Sequence, residues 1–152
     1  MTQTKYIAGS GGGGCFTGDT LVSVPGGTQR IDKIEVGNSI YSFDHKGVVH
    51  NAKVLKVHKH YGEDVVRYKL WGDSFLDATP NHWVLNQYNA FVAIGTLGAD
   101  DCTVDEQGHL RPIISRTDLG EHTVYNLTVE NQHTFIANGV RVHNAGLGAR
   151  VA

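Results

Sequence analysis

The chain has 152 residues, with 13 Lys and Arg against 15 Asp and Glu, nine His, 19 Gly and two Cys. That length suits one domain able to bury roughly 68–70% of its unfolded surface, while a net charge of −2 supplies no basic field for nucleic acid. No apolar run approaches the ~20 residues of a membrane span, Met1–Ser10 lacks a signal-peptide core, and two cysteines give neither a disulfide scaffold nor a zinc spacing.

Gly9 and Gly11 to Gly14, around Ser10, read as a flexible linker. It stops at Cys15, where a hydrophobic pattern of period two begins, so a boundary falls there. Leu21, Val22 and Val24 read as a strand ended by the turn cluster Pro25-Gly26-Gly27. Ile31, Ile34 and Gly37 fit one helical turn, and Ser39 to Phe43 a strand closed by Asp44 to Gly47. Val48 to Tyr61 and Val65 to Leu70 both alternate, with Gly62 to Asp64 between them, which predicts a long hairpin. Phe75 to Asn86 is apolar but interrupted by Pro80, and Phe91 to Ile94 is a further strand. Gly98 to Leu110 is polar and without period, and predicts a mobile loop. Tyr125, Leu127 and Val129 alternate, and Asn138-Gly139 between Phe135 and Val142 predicts a hairpin with a type I′ turn. No long window has helical period. The expected architecture is all-β, with about ten short strands and no internal repeat of fixed length.

Several residues could carry chemistry. Cys15 follows a run of glycines. A thiol acts only when accessible and partly ionised, its free pKa being ~8.5, and most free cysteines are small buried hydrophobes instead. The carbonyl of Gly14 is the nearest electrophile, and attack on it is intramolecular. Thr79 and His82 flank a proline turn and can face one spot, and His is suited to pass a proton near neutral pH; the bland alternative is a histidine buried by Trp83 and bonded to backbone. In His143-Asn144 the Asn amide nitrogen can attack its own carbonyl, giving a succinimide and cutting the chain, with His143 a source of the proton for the leaving amine. The alternative is a turn residue before the small-residue linker Ala145 to Ala149. His133 could donate to an oxyanion or a leaving group. His58 and His60 share a strand face, but two ligands do not make a metal site. Cys102, beside Asp100 and Asp101, reads as incidental, and a disulfide to Cys15 would switch off any thiol chemistry there.

The order of these signals points to a domain bounded at Cys15 and Asn144. Cys15-Phe16-Thr17-Gly18-Asp19-Thr20-Leu21-Val22, then Thr79-Pro80-Asn81-His82, then Val124 to Val129 with His133-Thr134-Phe135, and finally Val142-His143-Asn144 together resemble the Hint fold family of inteins, bacterial intein-like domains and hedgehog autoprocessing domains. The terminal His-Asn sets the chain apart from hedgehog, and its length leaves no room for a homing endonuclease. The resemblance implies a compact, horseshoe-like all-β fold with two-fold related strands. It divides the chain into flanking segments at 1–14 and 145–152 and a self-processing domain at 15–144.

It further implies that Cys15 attacks the Gly14 carbonyl to give a thioester. His82 protonates the Cys15 nitrogen and Thr79 polarises the same bond. Asn144 cyclises and cuts before Ala145, helped by His143 and His133. Inteins usually have Asp where this chain has Asn126, which can orient an oxyanion but cannot ionise. They usually have Cys, Ser or Thr after the terminal Asn, where Ala145 carries no nucleophile, so cleavage at both ends is the expected outcome. No metal or cofactor is implied. The partners are the flanking polypeptides in cis and an external thiol or water, acting on a monomer, and a reducing cytoplasm suits the free thiol. A cysteine hydrolase acting in trans and a β-rich binding module without chemistry are the competing readings.

Overall fold

The computed structural model describes residues 14–144, so the flanking stretches 1–13 and 145–152 lie outside the described residues. The strands are β1 (Phe16–Thr17), β2 (Leu21–Val24), β3 (Gly27–Arg30), β4 (Ser39–Phe43), β5 (Val49–Leu70), β6 (Ser74–Ala78), β7 (Trp83–Leu85), β8 (Phe91–Ala93), β9 (Cys102–Val104), β10 (Leu110–Val129), β11 (Thr134–Ala137) and β12 (Val140–His143). Single 3-10 turns at Ile31–Lys33 and Ile94–Thr96 are the only helical elements among the described residues. The strands form two sheets, in the orders β4-β5-β6-β1-β10-β9 and β3-β2-β11-β12-β7-β8. Between them lies a core that includes Phe16, Val22, Ile31, Ile40, Tyr68, Leu76, Leu127 and Phe135. Fully burying a side chain such as Phe16 is worth roughly 1.5–3 kcal/mol.

Most of the period-two readings became strands, and Pro80 does interrupt its segment, between β6 and β7. The expected hairpin at Val48–Leu70 did not form. Val49 to Leu70 is one strand of 22 residues, paired along its length with β10. Gly62 has a positive φ of 69° and lies opposite a ladder irregularity between His122 and Val124, while Gly120, with a φ of 76°, sits at another between Asp118 and Gly120. The two glycines bend a continuous two-stranded ribbon rather than reverse the chain. The polar stretch Gly98–Leu110 is also ordered. It holds β9, and the Asp105 carboxylate accepts from the amides of Gln107 and His109. Side-chain bonds to backbone, invisible to a hydrophobic-period reading, fix it.

The chain also contains a structural repeat, which no fixed period in the sequence disclosed but which agrees with the two-fold relation implied by the resemblance. Thr17-Gly18-Asp19-Thr20-Leu21-Val22 and Thr79-Pro80-Asn81-His82-Trp83-Val84 are built alike. Thr17 Oγ1 donates to Asp19 and Thr79 Oγ1 to Asn81, both at 2.7 Å. The amides of Thr20 and His82 donate to the carbonyls of Thr17 and Thr79, both at 3.1 Å. Each unit continues through a hairpin, a 3-10 turn and a short strand to an Asp-x-x-Gly turn, at Asp44–Gly47 and Asp105–Gly108, and then a long strand. Asp44 caps the amides of Lys46 and Val48 as Asp105 caps those of Gln107 and His109. The units meet where Phe16 pairs with Ala78. Matching lies in turn geometry with little residue identity, which explains why the sequence hides it.

The Asn138-Gly139 hairpin formed as expected, with φ values of 47° and 77°. The Asn138 side chain accepts from the Leu21 amide at 2.8 Å and donates to the Phe75 carbonyl at 2.9 Å, tying this turn to β2 and β6. Asn138→Ala is expected to cost about 1–2 kcal/mol. In urea unfolding the midpoint should fall with the slope unchanged, and an unchanged midpoint would show that the two bonds contribute nothing net.

Candidate active site

The peptide unit joining Gly14 to Cys15 is held at both of its polar atoms. The Gly14 carbonyl accepts from Asn126 Nδ2 at 2.7 Å, and the Cys15 amide donates to Thr79 Oγ1 at 2.9 Å. The Thr79 hydroxyl has one proton, which it gives to Asn81 Oδ1 at 2.7 Å, leaving a lone pair to face Cys15. Asn126 is oriented in turn, because its Oδ1 accepts from the Leu127 amide at 2.8 Å. The Thr79 amide closes the frame on the Cys15 carbonyl at 3.0 Å. Gly14 fits because it has no side chain: a Cβ there would lie 2.5 Å from both the His82 nitrogen and Thr79 Oγ1.

His82 is fully buried against Phe16, ring centroids 4.0 Å apart. Its Nδ1 lies 3.2 Å from the Trp83 carbonyl, which can only accept, so Nδ1 carries the proton and Nε2 keeps its lone pair. Nε2 is buried without a hydrogen-bond partner among the described residues. Burial pulls the pKa down to about 4, against smaller opposing effects from the Trp83 carbonyl and Asn126. The histidine therefore combines the backbone bond of the bland reading with a bare nitrogen in a dry site.

Cys15 departs from what the sequence led us to expect. The thiol is buried, 6% exposed, among Val65, Val124 and Leu119. That apolar setting, with the Glu63 charge adding to it, pushes its pKa up to about 12. The thiol is neither accessible nor ionised at rest, and only a group already beside it can be its partner. Both cysteines are free, and Cys102 is partly exposed on β9.

The second candidate centre is formed by the end of β12. His143 pairs with Trp83 on one side and Thr134 on the other, which brings Asn144 next to the unit containing His82. The His143 ring lies 4.8 Å from Phe91, 5.6 Å from Trp83 and 6.2 Å from His133. Burial, then the charges of His133 and His82, lower its pKa to about 3, the Asn144 backbone opposing. Asn144 is 2% exposed; its amide donates to the His133 carbonyl at 2.8 Å, and its Nδ2 is buried without a partner among the described residues. His133 takes a positive φ of 58° and buries a bare Nδ1. Thus Gly14, Cys15, Thr79, His82 and Asn126 form one cluster and His133, His143 and Asn144 an adjoining one. Ala145 lies outside the described residues.

His58 bonds Thr128 at 2.7 Å and is the ladder partner of Asn126 on the neighbouring strand. Sequence reasoning missed Asn81, which sets the Thr79 hydroxyl, and the Trp83–Phe91 pair around His143. The Thr-x-Asn spacing was a usable sign of the first, because such side chains bond locally in turns.

No family model and no curated protein matches the chain. Solved structures do. A bacterial intein-like domain from Clostridium thermocellum superposes with a TM-score of 0.79 at 22% identity, covering 86% of this chain and 98% of that one. A DnaB intein from Synechocystis sp. PCC 6803 gives 0.78 at 25%, covering 86% and 98%. The gp41-1 intein gives 0.75 at 24%, covering 87% and 99%. The chain has the all-β Hint fold that these inteins and intein-like domains share.

The buried groups fix how stability depends on pH. His82 and His143 titrate near 4 and 3 when folded, below the ~6.5 of an unfolded chain. As pH falls below ~6.5 the unfolded chain binds protons first, so stability drops by about 1.4 kcal/mol per pH unit per histidine until the folded values are reached. His58, more exposed, adds a smaller share of the same sign. The Cys15 thiol runs the other way: the unfolded chain loses that proton first, so stability falls as pH rises above ~8.5. Buried Tyr68, also raised, joins above ~10. Urea midpoints are expected to peak between about pH 6.5 and 8.5. Cys102, raised by partial burial and then by the Asp101 charge, adds a smaller share of the same sign. Cys15→Ala should therefore make the decline between about pH 8.5 and 10 much shallower; an unchanged slope there would contradict the burial of the Cys15 thiol.

Proposed function

We propose that this chain processes itself: Cys15 converts the Gly14–Cys15 peptide bond to a thioester, and Asn144 cyclises to cut the Asn144–Ala145 bond. The observation that carries the reading is the two-sided hold on that peptide, Asn126 on its oxygen and Thr79 on its nitrogen. The 22–25% identity to inteins and an intein-like domain adds the reaction class.

In the first step the Cys15 sulfur attacks the Gly14 carbonyl carbon. The new oxyanion receives the Asn126 N–H, a donor already in place. The thiol proton passes to His82 Nε2 and from there to the Cys15 nitrogen, which leaves as an amine as the C–N bond breaks. A resting thiol near 12 and a histidine near 4 make this transfer uphill, so proximity must supply much of the rate. Thr79 accepts the Cys15 N–H and aims the nitrogen lone pair toward the imidazole. Water or an added thiol then releases the segment ending at Gly14.

In the second step Asn144 Nδ2 attacks its own carbonyl carbon and loses a proton. The Ala145 nitrogen gains one and leaves, giving a C-terminal succinimide. His143 moves that proton and His133 holds the Asn144 backbone. Ala145 has no side-chain nucleophile, so no branched intermediate forms and both ends are cleaved; ligation would require the freed Ala145 amine to attack the thioester directly. A hydrolase acting in trans needs an open thiol, and the 6% exposure of Cys15 counts against it.

Mass spectrometry of the purified chain tests this. Dithiothreitol is expected to speed release of residues 1–14, Cys15→Ala to abolish it, and Asn144→Ala to abolish loss of residues 145–152. Asn126→Ala should slow the first cleavage by about 10²–10³, the usual loss for one oxyanion donor, and leave the second intact. A chain that stays whole under all these conditions sinks the proposal.

A further inference from the structure

β12 carries both His143 and Asn144, so whatever fixes its register places the second centre. Val140 and Val142 enter the main core. By alternation Arg141 and His143 lie on the opposite face. Arg141 is 5% exposed there, and its contacts are to main chain. Nε donates to the Asp105 carbonyl at 3.0 Å, Nη1 to that of Gly47 at 3.1 Å and Nη2 to that of Glu106 at 2.7 Å. These carbonyls belong to the two related turns Asp44–Gly47 and Asp105–Gly108, so one guanidinium clasps both repeat units.

The nearby carboxylates are engaged elsewhere. Asp44 bonds His50 at 2.8 Å and Asp105 bonds Arg111 at 2.9 Å. Arg141 therefore reads carbonyl positions as a rigid fork, which the single ammonium of a lysine cannot reproduce.

The same guanidinium lies 4.9 Å over the ring of Phe43. Phe43 is 6.2 Å from Phe91, and Phe91 is 4.8 Å from the His143 ring. A column of tilted ring contacts, with interplanar angles of 38° and 59°, thus links Arg141 to His143. Cation–π and ring–ring contacts are directional, so each favours one arrangement of its partners over others.

We propose that Arg141 is a positioning residue for the cleavage after Asn144: it fixes the register of β12 on the two turns and, through Phe43 and Phe91, sets the plane of the His143 ring beside Asn144. This rests on the self-processing reading, and it predicts an asymmetry, since the bonds that hold the Gly14–Cys15 peptide come from Asn126 and Thr79 and not from the column, whose His143 end meets the first centre only through the charge of His82.

The test uses the full 152-residue chain with Arg141→Met, Arg141→Lys and Phe91→Leu, following both cleavages by mass spectrometry and the His143 ring by NMR titration. In all three variants cleavage after Asn144 is expected to slow about tenfold or more, since a misplacement of ~1 Å can cost 10²-fold. Thiol-induced release of residues 1–14 should stay within about twofold and so reports an intact fold. His143, faced by His133 and His82, should titrate above its value of about 3, toward ~6.5, as its burial loosens. Lysine should not rescue. Equal loss of both cleavages in Arg141→Met and Phe91→Leu overturns the proposal, because the residue then serves the fold alone. Unchanged second cleavage with an unchanged His143 titration overturns it too. If the unsubstituted chain cuts at neither end, the self-processing reading fails, while the titration still decides whether Arg141 sets the ring.

Discussion

The approach of the Gly14 backbone to the Thr79–His82 turn is the constraint on which the first centre depends. With a Cβ at Gly14 only 2.5 Å from the His82 nitrogen and from Thr79 Oγ1, no other residue fits without moving the turn. The turn cannot move freely, because the Thr79 amide bonds the Cys15 carbonyl and the Ile94 amide bonds the His82 carbonyl. The peptide is pressed into a socket whose walls are main chain. Hydrogen bonds to its oxygen and nitrogen follow from that fit, and so does the placement of the Cys15 sulfur.

The socket is half of a repeated frame, and a comparison of its two copies separates scaffold from chemistry. Both copies keep the threonine, its bond to the residue two further on, and the carbonyl that receives the 3-10 turn. They differ where protons could move. Thr20 stands in the place of His82. Phe16 pairs with Tyr125 and Ala78 with Val66, so the residues one step further along those strands also correspond, Arg67 to Asn126. Arg67 holds the carboxylate of Asp77 through two bonds at 2.8 and 2.9 Å, where Asn126 holds the carbonyl of Gly14. In one copy charge is cancelled by an ion pair. In the other an uncharged donor faces a carbonyl that could become an oxyanion.

How much of this the sequence disclosed follows from the range of the interactions. The Asn138-Gly139 hairpin and the 3-10 turn at Ile31 were readable because local backbone preference fixes them. The ribbon of β5 and β10 was not, because Gly62 serves equally as a turn or as a bend in a paired strand, and only the partner strand decides. The candidate residues could be picked out by type, since Cys, His and Asn have distinctive chemistry. Their environment could not: the burial of the Cys15 thiol comes from Val65 and Val124, far along the chain. Arg141 gave no signal either, because its partners are carbonyls, and every residue has one.

Burial explains why two clusters of reactive groups can sit side by side without disturbing one another at rest. His82 Nε2, His133 Nδ1 and Asn144 Nδ2 are all buried without a partner among the described residues. Each such atom costs about 1–3 kcal/mol, which neighbouring packing has to offset. In exchange, the resting state holds a neutral thiol and neutral His82 and His143, so no charge is buried in advance. Charge arises only as a bond to a carbonyl carbon forms, and at the first centre a donor is already aimed at the oxygen that will carry it. A low-dielectric site strengthens such a contact relative to water, and no solvent has to reorganise. Two of these atoms, His82 Nε2 and Asn144 Nδ2, are ones the proposed steps use, the first receiving a proton and the second losing one, which ties part of the stability cost of the site to the chemistry proposed for it.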